Sequence, residues 1–362
     1  MVSNNKPIRI LQVGMSTNYG GTEAFLMNVY RNIDRNKYQF DFLNVYDEPL
    51  ACQDEIESLG GHIHNLHLRR RQDGLKKYRQ GIKEFYKNNH FDIVQLNAQS
   101  LDNIDMLKYA KKYGISKRIL YGHNSGFGVK PSKATQVIHR LNKLVVGRHA
   151  TSFVAVGPTA SKWLYPFWLR KKVTILSNSV DTARFIYNGS NGKEIRKLYN
   201  LDNKKVYGNL CRLDPQKNHI FLLDIFNEIH KKEKDSINMM QGKLENIKLE
   251  KELKDKVTRL GLDNFVIFAG NQKETEKYYS AFDIFLYPTK FEGFGIVLAE
   301  AQASGLPILS SDAIPENVIC TDLVQLKSLK EKFHKIIIAY FHCLVTIVWI
   351  FQINISIFNF FY

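Results

Sequence analysis

The sequence predicts an α/β protein made of two Rossmann-like, doubly wound domains. Three observations carry that expectation. Apolar runs of strand length alternate with helical patterns through most of the 362 residues, and such alternation buries a parallel sheet under helices on both faces. Glycines stand where strands hand over to helices, at Gly20-Gly21 and again at Gly293-Phe294-Gly295. Around Tyr187-Asn188-Gly189-Ser190-Asn191-Gly192 the composition moves to turn-formers, after which a second strand–helix series begins. Two domains facing across a cleft follow from this, the first over 1–178 and the second over 179–326.

Taken in order, Met1 to Pro7 is polar, without the pattern of a signal peptide, and Ile8–Val13 reads as the first buried strand. A helix follows from Thr22, a suitable N-cap, to about Ile33, with Phe25, Leu26, Val29, Tyr30 and Ile33 at helical spacing. Phe40–Val45, Ile93–Leu96, Arg118–Tyr121, Phe153–Val156 and Val173–Leu176 are the remaining strands of the first half. The second half offers Lys205–Leu210, Phe265–Ala269, Ile284–Tyr287 and Leu306–Leu309. Ile237–Leu244, short and with a single glycine, is expected to be a damaged strand.

Composition narrows the class. With 44% hydrophobic and 24% charged residues the chain is a soluble globular protein. Four scattered cysteines without a Cys-x-x-Cys argue against zinc or a disulfide framework and for a reducing, cytoplasmic setting. A net charge of +16 calls for an acidic partner, nucleic acid or an anionic membrane. No zinc-finger spacing or RNA-binding aromatic motif accompanies the charge, so no nucleic-acid partner is assigned. Part of the excess is explained by residues of AT-rich codons.

The stretch Phe291 to Pro307 carries most of the chemistry. Glu292 precedes a short helix, and Glu300 lies inside it on a segment apolar nearly all round, where a carboxylate needs a partner. Gly293 and Gly295 let a ligand approach the helix N-terminus, which favours anions. A diphosphate with vicinal hydroxyls, as in a nucleotide sugar, suits this arrangement. Upstream, Gly208 to Asn218 is a strand end, a proline turn and a helix start from which Arg212 and Lys217 emerge together, two cations able to neutralise a leaving diphosphate. No Asp-x-Asp occurs, so no metal clamp and no cofactor are expected. In the first half, Gly20-Gly21-Thr22-Glu23 opens a helix and offers amides to a phosphate. His123, in a loop after a strand, is either an ordinary surface histidine or part of the cleft lining.

Glu292 and Glu300 at this spacing, with Gly305-Leu306-Pro307 behind them, resemble the retaining glycosyltransferases of family 4 (glycosyl transferases group 1). The resemblance implies the GT-B fold and sugar transfer from a nucleotide-sugar donor, UDP-linked, to a surface-glycan or lipid-linked acceptor in polysaccharide biosynthesis. It also implies roles. Glu300 holds the ribose hydroxyls, Glu292 contacts the donor sugar and His123 orients it. Arg212, Lys217 and the amides of Phe294, Gly295, Ile296 and Val297 take the diphosphate, with Gly20 and Gly21 near donor phosphates and acceptor. Leu176 to Asp181 resembles the interdomain crossover, with Ser179 in place of glycine, and Cys211 stands where the family has glycine.

The resemblance ends near Leu326. Lysines 327, 330, 332 and 335 then precede an uncharged run, Ile336–Tyr362. It has the length to span a bilayer, but polar residues interrupt it, and a shifted reading frame explains it better than an evolved anchor. The second domain is therefore expected to be truncated and the chain poorly soluble and nearly inactive. Two rivals remain: a nucleotide-sugar epimerase on the same fold, and an inactive donor-binding remnant. Lys162 to Lys172 sets four large aromatics between bases, which is either a membrane-interfacial segment at the inner face of the cell membrane or a core-facing helix end.

Overall fold

A computed structural model describes residues 6–127, 130–242, 247–272 and 274–330. The chain divides into two compact units, one ending at Ser179 and the other beginning at Val180. The Ile336–Tyr362 run, with the expectations attached to it, lies outside the described residues. Among those described, no helix is long and apolar enough to cross a membrane.

The described residues of the first unit hold seven parallel strands: β1 (Ile8–Val13), β2 (Tyr38–Asn44), β3 (His62–Asn65), β4 (Ile93–Ala98), β5 (Lys117–Gly122), β6 (Ser152–Ala155) and β7 (Val173–Ile175). Their order is β3-β2-β1-β4-β5-β6-β7. The described residues of the second unit hold six: β8 (Lys205–Leu210), β9 (Ser236–Gln241), β10 (Val266–Gly270), β11 (Ile284–Tyr287), β12 (Ile308–Ser311) and β13 (Val324–Lys327), ordered β10-β9-β8-β11-β12-β13. In each sheet the chain runs outward one way, returns, and continues the other way. That reversal opens a crevice at the carboxyl ends of β1 and β4, and of β8 and β11. Such sheets are buried on both faces, which is why strands such as β11 and β12 are buried at every position.

Two expectations are corrected. β9 is not damaged: all six of its residues are buried, and it pairs along its length with β8 and β10. Asn238 Nδ2 donates to the Tyr207 carbonyl at 3.1 Å, and pairing with a strand on each side holds β9 in the core. Thr22 does not cap the first helix. Gly21–Asn32 is capped by Gly20 without a side-chain bond, and Thr22 is buried within the first turn. The turn-formers at 187–192 lead into a helix. Asn188 Oδ1 accepts from the amides of Ser190 and Asn191 and so starts the Gly189–Leu198 helix.

Candidate active site

In the second unit, β8 and β11 are neighbours at the crevice, and the loops leaving them interlock. Gln216 Nε2 donates to the Phe291 carbonyl at 2.8 Å, while Lys290 N donates to the Gln216 carbonyl at 2.9 Å. This stitching brings Lys217 onto Glu292. The ammonium donates to Glu292 Oε1 at 2.7 Å and to the Tyr287 hydroxyl at 2.8 Å. Tyr287 Oη and Thr289 Oγ1 each donate to the same carboxylate oxygen at 2.8 Å. Burial alone would pull the Lys217 pKa down, but Glu292, with Cys211 and Asp214, outweighs it and leaves it above the ordinary lysine value. Lys217 is therefore a fixed positive charge. Burial, then Glu292, pushes the Tyr287 phenol well above 10, so it remains a donor.

Arg212 and Lys217 do not emerge alike. Lys217 turns inward to its carboxylate, whereas Arg212 is 40% exposed and lies 3.9 Å from Asp214. Behind Arg212 the packing is tight. A Cβ on Gly242, which has φ +150°, would lie 1.9 Å from the Cys211 carbonyl oxygen, so only glycine lets β9 end flush against this turn. Cys211 fits as a small buried thiol that donates to Asn209 Oδ1 at 3.2 Å, and burial pushes its pKa up, away from the reactive thiolate.

The helix Ile296–Ala303 starts at Gly295, whose φ is +82°. The amides of Phe294 to Val297 thus belong to the helix N-terminus, where partial positive charge gathers. Glu300 is 7% exposed, and its Oε2 accepts from the Tyr279 hydroxyl at 2.8 Å. Burial raises the carboxyl to about 7, more than Tyr279 and Arg184 pull it back. At neutral pH it stands between the acid and a carboxylate able to take two hydroxyl donors.

In the first unit, β1 and β4 flank the crevice, and Asn97 at the end of β4 organises it. Its Nδ2 donates to Gln12 Oε1 at 3.0 Å and to the Val13 carbonyl at 3.2 Å, which sets the amide's orientation. Asn97 Oδ1 then faces His123 Nε2 at 3.0 Å, so that nitrogen carries the proton. The ring lies 4.3 Å from Tyr121 in a stacked arrangement, and burial lowers its pKa to about 3. His123 is thus neutral at physiological pH and does not serve as a charged acid. Gly20 and Gly21 begin the helix whose Phe25 packs 5.3 Å from the His123 ring. Nearby, the Ser16 amide and hydroxyl bond to the buried Glu23 carboxylate at 2.9 and 3.0 Å, so that part of the loop is engaged by an anion of its own.

The residues singled out from the sequence therefore fall into two groups. Arg212, Lys217, Glu292, the amides Phe294 to Val297 and Glu300 belong to the second unit; Gly20, Gly21 and His123 belong to the first. Tyr279, Tyr287, Thr289 and Asn97 escaped notice. A signal existed for Tyr287 and Asn97, since each ends an apolar strand facing a crevice. Nothing local marked Tyr279, which meets Glu300 across 21 positions.

The sequence pattern of the family described as Glycosyl transferases group 1 matches residues 191–325. Bacillus subtilis (strain 168) EpsF, which carries a glycosyltransferase name, is 31% identical over 325 residues, spanning 87% of this chain and 82% of its own. The chain belongs to the glycosyl transferases group 1 family. A second relative, the capsular polysaccharide biosynthesis glycosyltransferase CapH of Staphylococcus aureus, is 24% identical over 86% of this chain and 82% of its own. Among solved structures, Anabaena HepE in complex with UDP and glucose superposes with a TM-score of 0.72 at 19% identity, covering 90% of this chain and 86% of that one. The fold of this glycosyltransferase is GT-B.

Proposed function

We propose that the chain transfers a hexose, with retention of configuration, from a UDP-linked donor to a surface-glycan or lipid-linked acceptor at the cytoplasmic face of the membrane. The observation that carries this reading is the Lys217–Glu292 pair, mostly shielded from water, at the β8–β11 crevice, with Arg212 at its rim and a helix N-terminus alongside. HepE, which shares the fold, binds UDP and UDP-glucose. The relatives are named as transferases, which favours neither the epimerase nor the inactive remnant.

In this mechanism the ribose hydroxyls bond to Glu300, and Glu292 faces the donor sugar. As the bond from the anomeric carbon to the phosphate oxygen breaks, charge develops on the diphosphate. Arg212, Lys217 and the amides of Phe294 to Val297 stabilise it. The acceptor hydroxyl adds to the same face of the anomeric carbon and gives its proton to the departing phosphate oxygen. Glu292, with one oxygen already held by three donors, acts by position rather than as a nucleophile. His123, neutral and held by Asn97, orients the sugar.

Arg212→Ala is expected to weaken UDP binding by roughly 1.5–3 kcal/mol, the range for a charge-assisted contact, while leaving thermal stability unchanged. Calorimetry showing unaltered UDP affinity would remove Arg212 from the donor site. The same assignment makes transfer independent of a divalent metal. Chelator should leave the rate intact, and a strict need for manganese would contradict the cationic clamp.

A further inference from the structure

The basic charge of this protein is concentrated. Between Met106 and Val180 there are fourteen Lys and Arg and no Asp or Glu, against a net +16 for the whole chain, so the remainder is close to neutral. Codon bias acting along the whole chain does not produce one carboxylate-free stretch of this length.

Within that stretch the helix Lys133–Val145 is built the wrong way round for a core helix. Its buried side chains are His139 and Asn142. His139 Nδ1 accepts from the Leu101 amide at 2.9 Å, and Asn142 Nδ2 donates to the Leu101 carbonyl at 2.7 Å. The polar face is thereby used to hold the chain after β4. On the outer face Val137, Leu141 and Leu144 are 52%, 59% and 57% exposed, spaced as one helical stripe. Lys133, Arg140 and Arg148 are exposed along it.

The Lys162–Lys172 segment packs against the end of this helix. Lys143 Nζ donates to the carbonyls of Lys162 at 2.8 Å and Trp163 at 2.7 Å, and a Cβ on Gly147 would lie 2.9 Å from Leu169 Cδ1. Of its four aromatics, two face inward: Tyr165 is buried, with its hydroxyl bonded to the Val154 carbonyl, and Trp163 stacks on His139 at 4.3 Å. Phe167 and Trp168 stay outside, 73% and 50% exposed, followed by the exposed Arg170, Lys171 and Lys172. The sequence pattern therefore overstated this segment and missed the larger apolar stripe beside it.

We infer that this face, the Val137–Leu141–Leu144 stripe together with Phe167 and Trp168 and their surrounding bases, docks on an anionic lipid bilayer. Aliphatic and aromatic side chains enter the interface while the bases meet lipid phosphates. A second copy of the chain would bring the same uncompensated positive charge, and like charges oppose that pairing. The inference deepens the lipid-linked acceptor reading and rests on it, because such docking would present the enzyme to an acceptor anchored in the membrane.

The test uses the full chain and vesicles of phosphatidylcholine with or without phosphatidylglycerol, without donor or acceptor, so its failure is separate from a failure of sugar transfer. Co-sedimentation is expected on anionic vesicles at tenfold or more above neutral ones, declining with salt. Arg140→Gln, Lys171→Gln and Lys172→Gln should each lower it by about fivefold. The triple variant Val137→Ser/Leu141→Ser/Leu144→Ser should lower it at least tenfold with the thermal midpoint preserved, since all three side chains are at the surface. Retention unchanged in the triple variant would assign binding to another part of the chain and overturn the inference, as would equal retention on neutral vesicles. A lipid-free dimer abolished by the triple variant would make the face an interface between copies instead.

Discussion

Lys217→Met is expected to lower the stability of the second unit by about 3 kcal/mol, the lower end of the range for removing one partner of a buried ion pair. Glu292 is buried, Lys217 is 13% exposed, and the two meet at 2.7 Å. Without the ammonium the carboxylate remains inside, and Tyr287 and Thr289, neutral donors, continue to bond the oxygen that Lys217 held. For a unit of this size, the thermal midpoint should fall by roughly 6–12 °C. Lys217→Met/Glu292→Gln should regain most of the loss, because the charge that lacked a partner is gone as well. UDP affinity should fall in both variants. Thermal unfolding followed through the second unit's own transition separates the cases: equal midpoints in the single and double variants would show that the pair is not coupled. The contrast with Arg212→Ala, which should affect binding alone, distinguishes a cation fixed in the framework from one at the rim.

Glu300→Gln is expected to stabilise the protein above neutral pH while weakening the donor. The carboxyl is displaced by burial from 4.5 to about 7. Below pH 4.5 it is neutral in the folded and unfolded chain alike, and its contribution to stability is intact. Between pH 4.5 and 7 the unfolded chain gives up its proton while the folded chain keeps it, and stability falls as pH rises. Above about pH 7 the loss is complete, of order 3 kcal/mol at about 1.4 kcal/mol per pH unit. A glutamine can still accept from Tyr279 and carries no charge to desolvate, so the variant's advantage should grow from pH 4.5 to 7 and then level off. The donor behaves in the opposite sense. UDP-glucose affinity should rise in the native protein as Glu300 ionises between pH 6 and 8, and it should be lower and flat in the variant. A stability difference that does not vary with pH would mean the carboxyl is not displaced. A pH-dependent affinity surviving in Glu300→Gln would place the titrating group elsewhere. Together the two measurements ask whether a carboxylate that costs stability is kept for the ribose.

Much of the fold was legible because strand–helix alternation is a local property. Lys205–Leu210 and Ile284–Tyr287 have the bounds their apolar runs predicted, and most other strands shift by one or two positions. The damage expected in β9 rested on a short run with a single glycine, a local feature; the segment is a sound strand because β8 and β10 pair with it on either side. β3, whose sequence is His-Ile-His-Asn, carries almost no apolar signal and is a strand because β2 pairs with it.

The sequence by itself determined the fold class, the family's acidic and basic motif residues, and the excess of positive charge. All three are written in residue type and short-range spacing, which survive without coordinates. Only the tertiary structure decided what those residues do to one another. It turned Lys217 inward onto Glu292 and left Arg212 outside, because Gln216 stitches the loops after β8 and β11, which are 75 positions apart along the chain. It supplied Tyr279 to Glu300 and thereby set how far burial lifts that carboxyl. It put His139 and Asn142 inside and Leu141 outside, because the backbone of Leu101, some forty positions away, needed hydrogen-bond partners. Burial and partnership across such separations depend on packing, and no local window of the sequence contains them.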